Sequence, residues 1–305
     1  MQYKTGDRQL ISDFCKLHAL PASFEMTASK WFIPLIENIA THHRGAKRPI
    51  FVGINGCQGS GKSTLSAFIK FYLSTRTELN VISISLDDFY YSSSERLALS
   101  IKIHPLLATR GVPGTHNTVL IKRLFDKIVE QAFDYTLPQF NKATDNPVPF
   151  DLWPKVERPV DIALMEGWCW GIEPQSIDAL RLPINKLEEN DDPMGVWRSF
   201  VNRQLKQEYR PLYAYMDMWV MLKAPSFQNV LGWRIEQEHR LKQALLPQCS
   251  DNQALKGLMD DVQIERFIAH YQRLTEHALS TLAQHCDLTF RLDNNRQINK
   301  VITKS

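Results

Sequence analysis

Two repeat lengths alternate in the apolar positions along the chain. Short apolar runs at 49–54, 81–85, 160–165, 217–222 and 288–292 have the length and branching of buried strands. Longer segments at 63–72, 116–132, 227–245 and 264–284 repeat at helical spacing; in 116–132, Leu120, Leu124, Ile128 and Val129 share one face. Residues 1 to about 48 read as mostly helical, with Phe32, Leu35, Ile36 and Ile39 on one stripe of 28–43. Pro34 lacks an N–H, so that helix is expected to start near it or kink there. Strands alternating with helices predict an α/β fold, a parallel sheet flanked by helices on both faces. No linker interrupts 1–305, which predicts one domain carrying 1–48 as a helical extension. Ligands of such sheets bind beyond the carboxyl ends of the strands, and three of those ends carry Gly56, Asp87 and Glu166.

Gly56-Cys57-Gln58-Gly59-Ser60-Gly61-Lys62-Ser63 matches GxxxxGK[ST] in full, after a strand and before a helix. The fold is therefore expected to be of the P-loop NTPase type. Backbone N–H groups of Gly56 and Gln58 to Thr64 would wrap a nucleotide's phosphates, aided by the helix N-terminus. Lys62 would offset β- and γ-phosphate charge, and Ser63 would offer its hydroxyl to Mg²⁺. The chemistry implied is ATP-dependent phosphoryl transfer. Cys57 reads as a small neutral loop residue rather than a redox switch.

A kinase acting on an alcohol needs a carboxylate near the γ-phosphate to take or orient the hydroxyl proton. Asp87 suits this, the competing reading being a helix N-cap; Asp88 is expected to cap the following turn or reach Mg²⁺ through water. Glu166 ends an apolar strand and is a candidate Mg²⁺ carboxylate, against a solvated loop position. The Arg110-Gly111-Val112-Pro113-Gly114-Thr115-His116 segment reads as a pocket wall or an ordinary surface turn. In the pocket reading, Arg110 can pair with a carboxylate. Arg234 either closes over the transferred phosphate or sits on a solvated helix face. The tryptophans at 168, 170, 197 and 233 are expected in the core.

Composition narrows the setting. Thirty-six Lys and Arg face 33 Asp and Glu, a formal charge of +3 without a basic run, so nucleic acid is not an expected partner. Cys15, Cys57, Cys169, Cys249 and Cys286 are odd in number and form no CxxC, pointing to a reducing compartment. With no secretory signal at the start and no apolar stretch near ~20 residues, a cytoplasmic protein without a membrane segment is expected.

Taken together, the phosphate loop, Ser85-Leu86-Asp87-Asp88-Phe89-Tyr90, the 104–116 block ending in RGVPGTH, Leu137-Pro138-Gln139-Phe140-Asn141-Lys142-Ala143, Glu166-Gly167-Trp168 and Trp233-Arg234-Ile235-Glu236-Gln237-Glu238 resemble the D-glycerate 3-kinase family and its bacterial relatives. That group lies within the uridine kinase, pantothenate kinase and phosphoribulokinase superfamily. The resemblance spans roughly residues 50 to 245 in order. It implies ATP, Mg²⁺ and transfer to a small alcohol, with an anionic acceptor held by Arg110, Tyr90, His116 and Lys142, and Lys62, Asp87 and Arg234 at the reacting groups. Asn117 and Asn141 stand where the family pattern has Asp, and Thr144-Asp145-Asn146-Pro147 replaces an Arg or Gly-Asp-Arg element. Another acceptor (a nucleoside, pantothenate or a sugar) and a non-catalytic ATP-binding regulator are the alternative readings.

Overall fold

A computed structural model describes residues 6–245 and 259–304. Its main sheet has six strands: β1 (Ile50–Gly56), β2 (Val81–Ser85), β3 (Ile162–Gly167), β4 (Met218–Lys223), β5 (Leu288–Leu292) and β6 (Ile298–Thr303). Their order is β6-β5-β4-β1-β3-β2. The first five are mutually parallel, and β6 returns antiparallel along β5. β1 is central and buried at every residue, as a parallel strand covered by helices must be, which is why its sequence is nearly all apolar. The expected strands are present within two residues of their predicted ends; β6 was not expected, so the sheet is mixed rather than wholly parallel.

The helices flank this sheet. Phe125 of the Thr118–Val129 helix packs edge-on to Phe51 of β1. The Lys62–Arg76 helix sets Phe68 against Phe14, Phe24 and Phe32 of the N-terminal helices. That packing buries Leu10, Ile11 and Phe14, so the described part of the extension shares the main core. As expected, an α-helix starts beside Pro34: the proline sits in the first turn of Ile33–Gly45, and the backbone before it stays helical. The helix runs from Phe24 to Gly45 through a wider π-turn at Ala28–Phe32, in which the Ile33 N–H bonds the Ala28 carbonyl. Residues 1–5 and Cys249 lie outside the described residues.

Sheet order assembles the carboxyl edge. β3 lies between β1 and β2, pairing Ile54 with Glu166 and Ser85 with Glu166. The loop after β1, the turn after β2 and the end of β3 thereby become neighbours.

Candidate active site

The phosphate loop leaves β1 at Gly56 and enters the next helix at Lys62. Gly59 and Gly61 take φ of 76° and 90°, which a side chain would strain, so both glycines are needed for the loop to turn its N–H groups inward. The Ser60 N–H bonds the Cys57 carbonyl (3.2 Å), and the oxygens Ser60 Oγ and Gln58 Oε1 are buried without a hydrogen-bond partner among the described residues. Cys57 is buried, and burial pushes its thiol up to about 12, so it is a neutral loop residue.

Glu166 is 4% exposed and lies within β3, not in a solvated loop. Its Oε1 accepts from Ser63 Oγ at 2.8 Å, and its Oε2 is 3.8 Å from Lys62 Nζ. That distance leaves Oε2 buried without a hydrogen bond among the described residues. Burial acts to lower the Lys62 pKa, but Glu166 and Asp87 outweigh it and hold the ammonium above its ordinary value.

Asp87 sits in a short 3₁₀ turn, Leu86–Phe89, not on an extended strand end; Ser85 caps the turn by accepting from the Asp87 N–H. The Asp87 side chain is therefore free of capping. It accepts from Lys142 Nζ (2.6 Å) and from the Tyr90 hydroxyl (3.1 Å). Burial raises its pKa, yet Lys142 and Lys62 overcome this and bring it to about 2, so the carboxylate is ionised at neutral pH. Asp88 does not cap the turn as expected. It accepts from the Phe140 N–H (3.2 Å), and burial, with Asp87 and Glu166 nearby, raises it to about 6.

Lys62, Asp87, Tyr90, Arg110, Lys142 and Arg234 line one cleft of about 520 Å³, together with Gln58, Trp168, Phe267 and Tyr271. Arg234 faces this cleft rather than open solvent, held by Glu238 at 2.6 Å. Arg110 is bonded to Asp145 and lies over the Phe140 ring, 5.8 Å from its centroid. His116 departs from expectation. It is 1% exposed behind Tyr90, stacked on that ring at 4.4 Å, with Nδ1 2.6 Å from the Tyr209 hydroxyl. Burial lowers its pKa to about 3, so it is neutral and supports Tyr90 rather than meeting an anion. Thr64 lies on the other side of the loop. There it joins Gly59, Phe24, Arg296 and Gln297 around a smaller cavity of about 150 Å³.

The two asparagine departures serve local structure. Asn117 caps the Thr118–Val129 helix, and Asn141 Oδ1 accepts from the Ala143 and Thr144 N–H groups to close a turn. Sequence reasoning missed Asp145, Phe267 and Tyr271 and took Trp168 as core alone. Trp168 is buried, yet it borders the cleft while its Nε1 donates to the Gly111 carbonyl (2.9 Å). The turn chemistry of 144–146 was visible, but its pairing with two distant arginines was not. Among the described residues, no group of three or more His, Cys, Asp or Glu forms a metal cage, and no helix is long and apolar enough to cross a membrane.

No family model matches the chain. A Schizosaccharomyces pombe protein described as an uncharacterized kinase, mug58, is 31% identical over 266 residues, 82% of this chain and 90% of that protein. The chloroplastic D-glycerate 3-kinase of Arabidopsis thaliana is 28% identical over 270 residues, 83% of this chain but 54% of the plant protein, so the chain spans about half that relative's length. The solved structure of a D-glycerate 3-kinase from Cryptococcus neoformans superposes with a TM-score of 0.69 at 25% identity, covering 93% of this chain and 99% of that one. With a complete phosphate loop facing two carboxylates, and with these relatives, the chain is a kinase that belongs to the P-loop kinase family of D-glycerate 3-kinase and its relatives.

Proposed function

We propose that the chain transfers the γ-phosphoryl group of ATP to a hydroxyl of a small organic acid, with D-glycerate the first acceptor to test. The observation that carries this reading is that Asp87, Arg110 and Lys142 line the same cleft as Lys62 and Arg234. One carboxylate for a hydroxyl, two cations for an acid and two for phosphate oxygens make a set suited to that substrate pair. Relatives named D-glycerate 3-kinase support the acceptor.

Each side chain has a part in this reading. Loop N–H groups and Lys62 hold the phosphates, and Arg234 offsets charge on the group in transfer. Asp87, ionised and fixed by Tyr90, accepts the hydrogen bond of the acceptor hydroxyl and aims its oxygen at the γ-phosphorus. Arg110 takes the acceptor's carboxylate. Ser63 and Glu166 would hold Mg²⁺: both offer hard oxygens, and the buried Glu166 Oε2 without a hydrogen bond fits a cation's neighbour. When bound, that ion neutralises phosphate charge. With no three-residue cage among the described residues, nucleotide oxygens and waters would complete its shell.

A panel of hydroxy acids, sugars and nucleosides, assayed for ATP-dependent phosphorylation, tests the reading. An acid should be the best acceptor, and Lys62→Ala should cut turnover by orders of magnitude with the fold intact. Arg110→Lys keeps the charge but loses the planar fork, so it should raise the acceptor KM more than the ATP KM. A best substrate without negative charge would sink the organic-acid reading.

A further inference from the structure

The cleft side of the chain carries a small hairpin, Phe140–Asn141 paired with Asn146–Pro147, whose body is anchored by several contacts and whose Lys142 reaches Asp87. The Phe140 N–H donates to Asp88, and Asn146 Oδ1 accepts from both the N–H and the hydroxyl of Ser93 (3.1 Å each). Asp145 joins the buried Arg96 to Arg110, holding a left-handed backbone (φ 55°) as it does so. Arg96 is 1% exposed and gives its other donors to the Tyr91 and Ala108 carbonyls, so this anchor is built into the core. Lys142 differs. Among the described residues its ammonium is bonded to Asp87 alone, and its side chain is 59% exposed. It can leave by rotating its own bonds while the hairpin stays in place. Tyr90 holds the other Asp87 oxygen, so the carboxylate remains aimed after Lys142 has gone.

We propose that Lys142 is a displaceable partner of Asp87. In the resting enzyme it covers the oxygen to which an acceptor hydroxyl must donate, and the anionic group of the acceptor draws it away. Recognition of the acceptor's charge and release of Asp87 are then a single event. This rests on reading the cleft as an organic-acid site. After displacement the acceptor hydroxyl donates to the vacated Asp87 oxygen. Its own oxygen forms the new bond to the γ-phosphorus, while the bond from that phosphorus to the β–γ bridging oxygen breaks. The electron pair leaves with ADP, and the hydroxyl proton passes to Asp87 and then to water. Water in the acceptor's place would give ADP and inorganic phosphate, and Lys142 on Asp87 denies that water its orienting carboxylate.

The test compares wild type with Lys142→Met and Lys142→Arg. Without acceptor, Lys142→Met should hydrolyse ATP several-fold faster than wild type, and Lys142→Arg should restore the low rate. With the best acid from the panel, Lys142→Met should raise the acceptor KM about tenfold, the loss of one charge-assisted hydrogen bond, while the ATP KM stays within about twofold. The same acid lacking its reacting hydroxyl should stimulate ATP hydrolysis by wild type and leave Lys142→Met unchanged. If Lys142→Met hydrolyses ATP no faster than wild type, or the hydroxyl-less acid stimulates both equally, displacement is wrong and the kinase reading stands on its acid phosphorylation. If wild type phosphorylates no acid, the organic-acid reading falls and the displacement goes with it.

Discussion

Asp87 and Asp88 are neighbours in sequence with opposite electrostatics. Burial raises both; at Asp87 two lysines reverse it to about 2, whereas at Asp88 the Phe140 N–H and Lys142 do not outweigh burial and the neighbouring Asp87 and Glu166, and it rises to about 6. Asp87→Asn should lower kcat by roughly 10²–10⁴-fold, the range for a positioned acid–base group, with little change in nucleotide affinity. Asp88→Asn should act on stability instead. The folded Asp88 binds its proton more tightly than the ordinary value of 3.8. Its contribution to stability is therefore complete below about pH 4 and is lost as pH rises through about 6. The carboxamide keeps an oxygen for the Phe140 N–H and carries no charge, so wild type should lose ground to Asp88→Asn between pH 4 and 7. Thermal melts without nucleotide or Mg²⁺ measure this, and a difference that runs the other way would count against it. Asp87 contributes in the opposite sense: its stabilisation is present above about pH 4 and lost as pH falls toward 2.

Among the elements, the 110–116 loop depends on one close approach. Gly111 has φ 143°, and a Cβ there would lie 2.2 Å from the Tyr271 hydroxyl, which also donates to the Arg110 carbonyl. Gly111→Ala should cost about 1–3 kcal/mol through overpacking and strain, and should raise the acceptor KM by shifting Arg110. A melt unchanged from wild type would show that the loop gives way freely. This region also shows where sequence is legible. The phosphate loop, Asp87 and Glu166 could be read because each sits at or just beyond the carboxyl end of an apolar strand. His116 could not, because Gly and Pro around it suggested an open turn while its burial comes from Tyr90 and Tyr209. β6 escaped notice because a bulge between Ile298 and Lys300 breaks its alternation. The Ser93–Lys102 helix was missed although Ser92 and Glu95 form a capping box whose two residues are plain in the sequence. The 140–147 hairpin has strands of two residues, too short for any periodic pattern.

For the whole molecule, the cleft depends on a helix contributed from far along the chain. Asp261–Thr281 supplies Phe267 and Tyr271, and it is pinned by Arg273, which forms a two-pronged pair with Glu188 at 2.7 and 2.6 Å. Both partners are buried, and Arg273 also bonds the Ala179 and Leu182 carbonyls. Glu188→Gln should cost about 3–5 kcal/mol, because it leaves a buried guanidinium without its counter-charge. Urea unfolding should show a lower midpoint; an unchanged midpoint would mean that water reaches the pair. The sheet order β6-β5-β4-β1-β3-β2 also governs timing. Ile50 must find Ile162, and Val52 must find Met218, before β1 has a neighbour on both sides. During synthesis on the ribosome, the glycine-rich segment therefore has no paired strand to leave from until Ile162–Gly167 has emerged, and that strand is flanked on both sides only after Met218–Lys223 follows. Nucleotide cannot template the early nascent chain and can only reward the finished sheet. The apolar Ile50–Ile54 stretch meanwhile waits longest without a partner, and it is the segment a chaperone would have to shield.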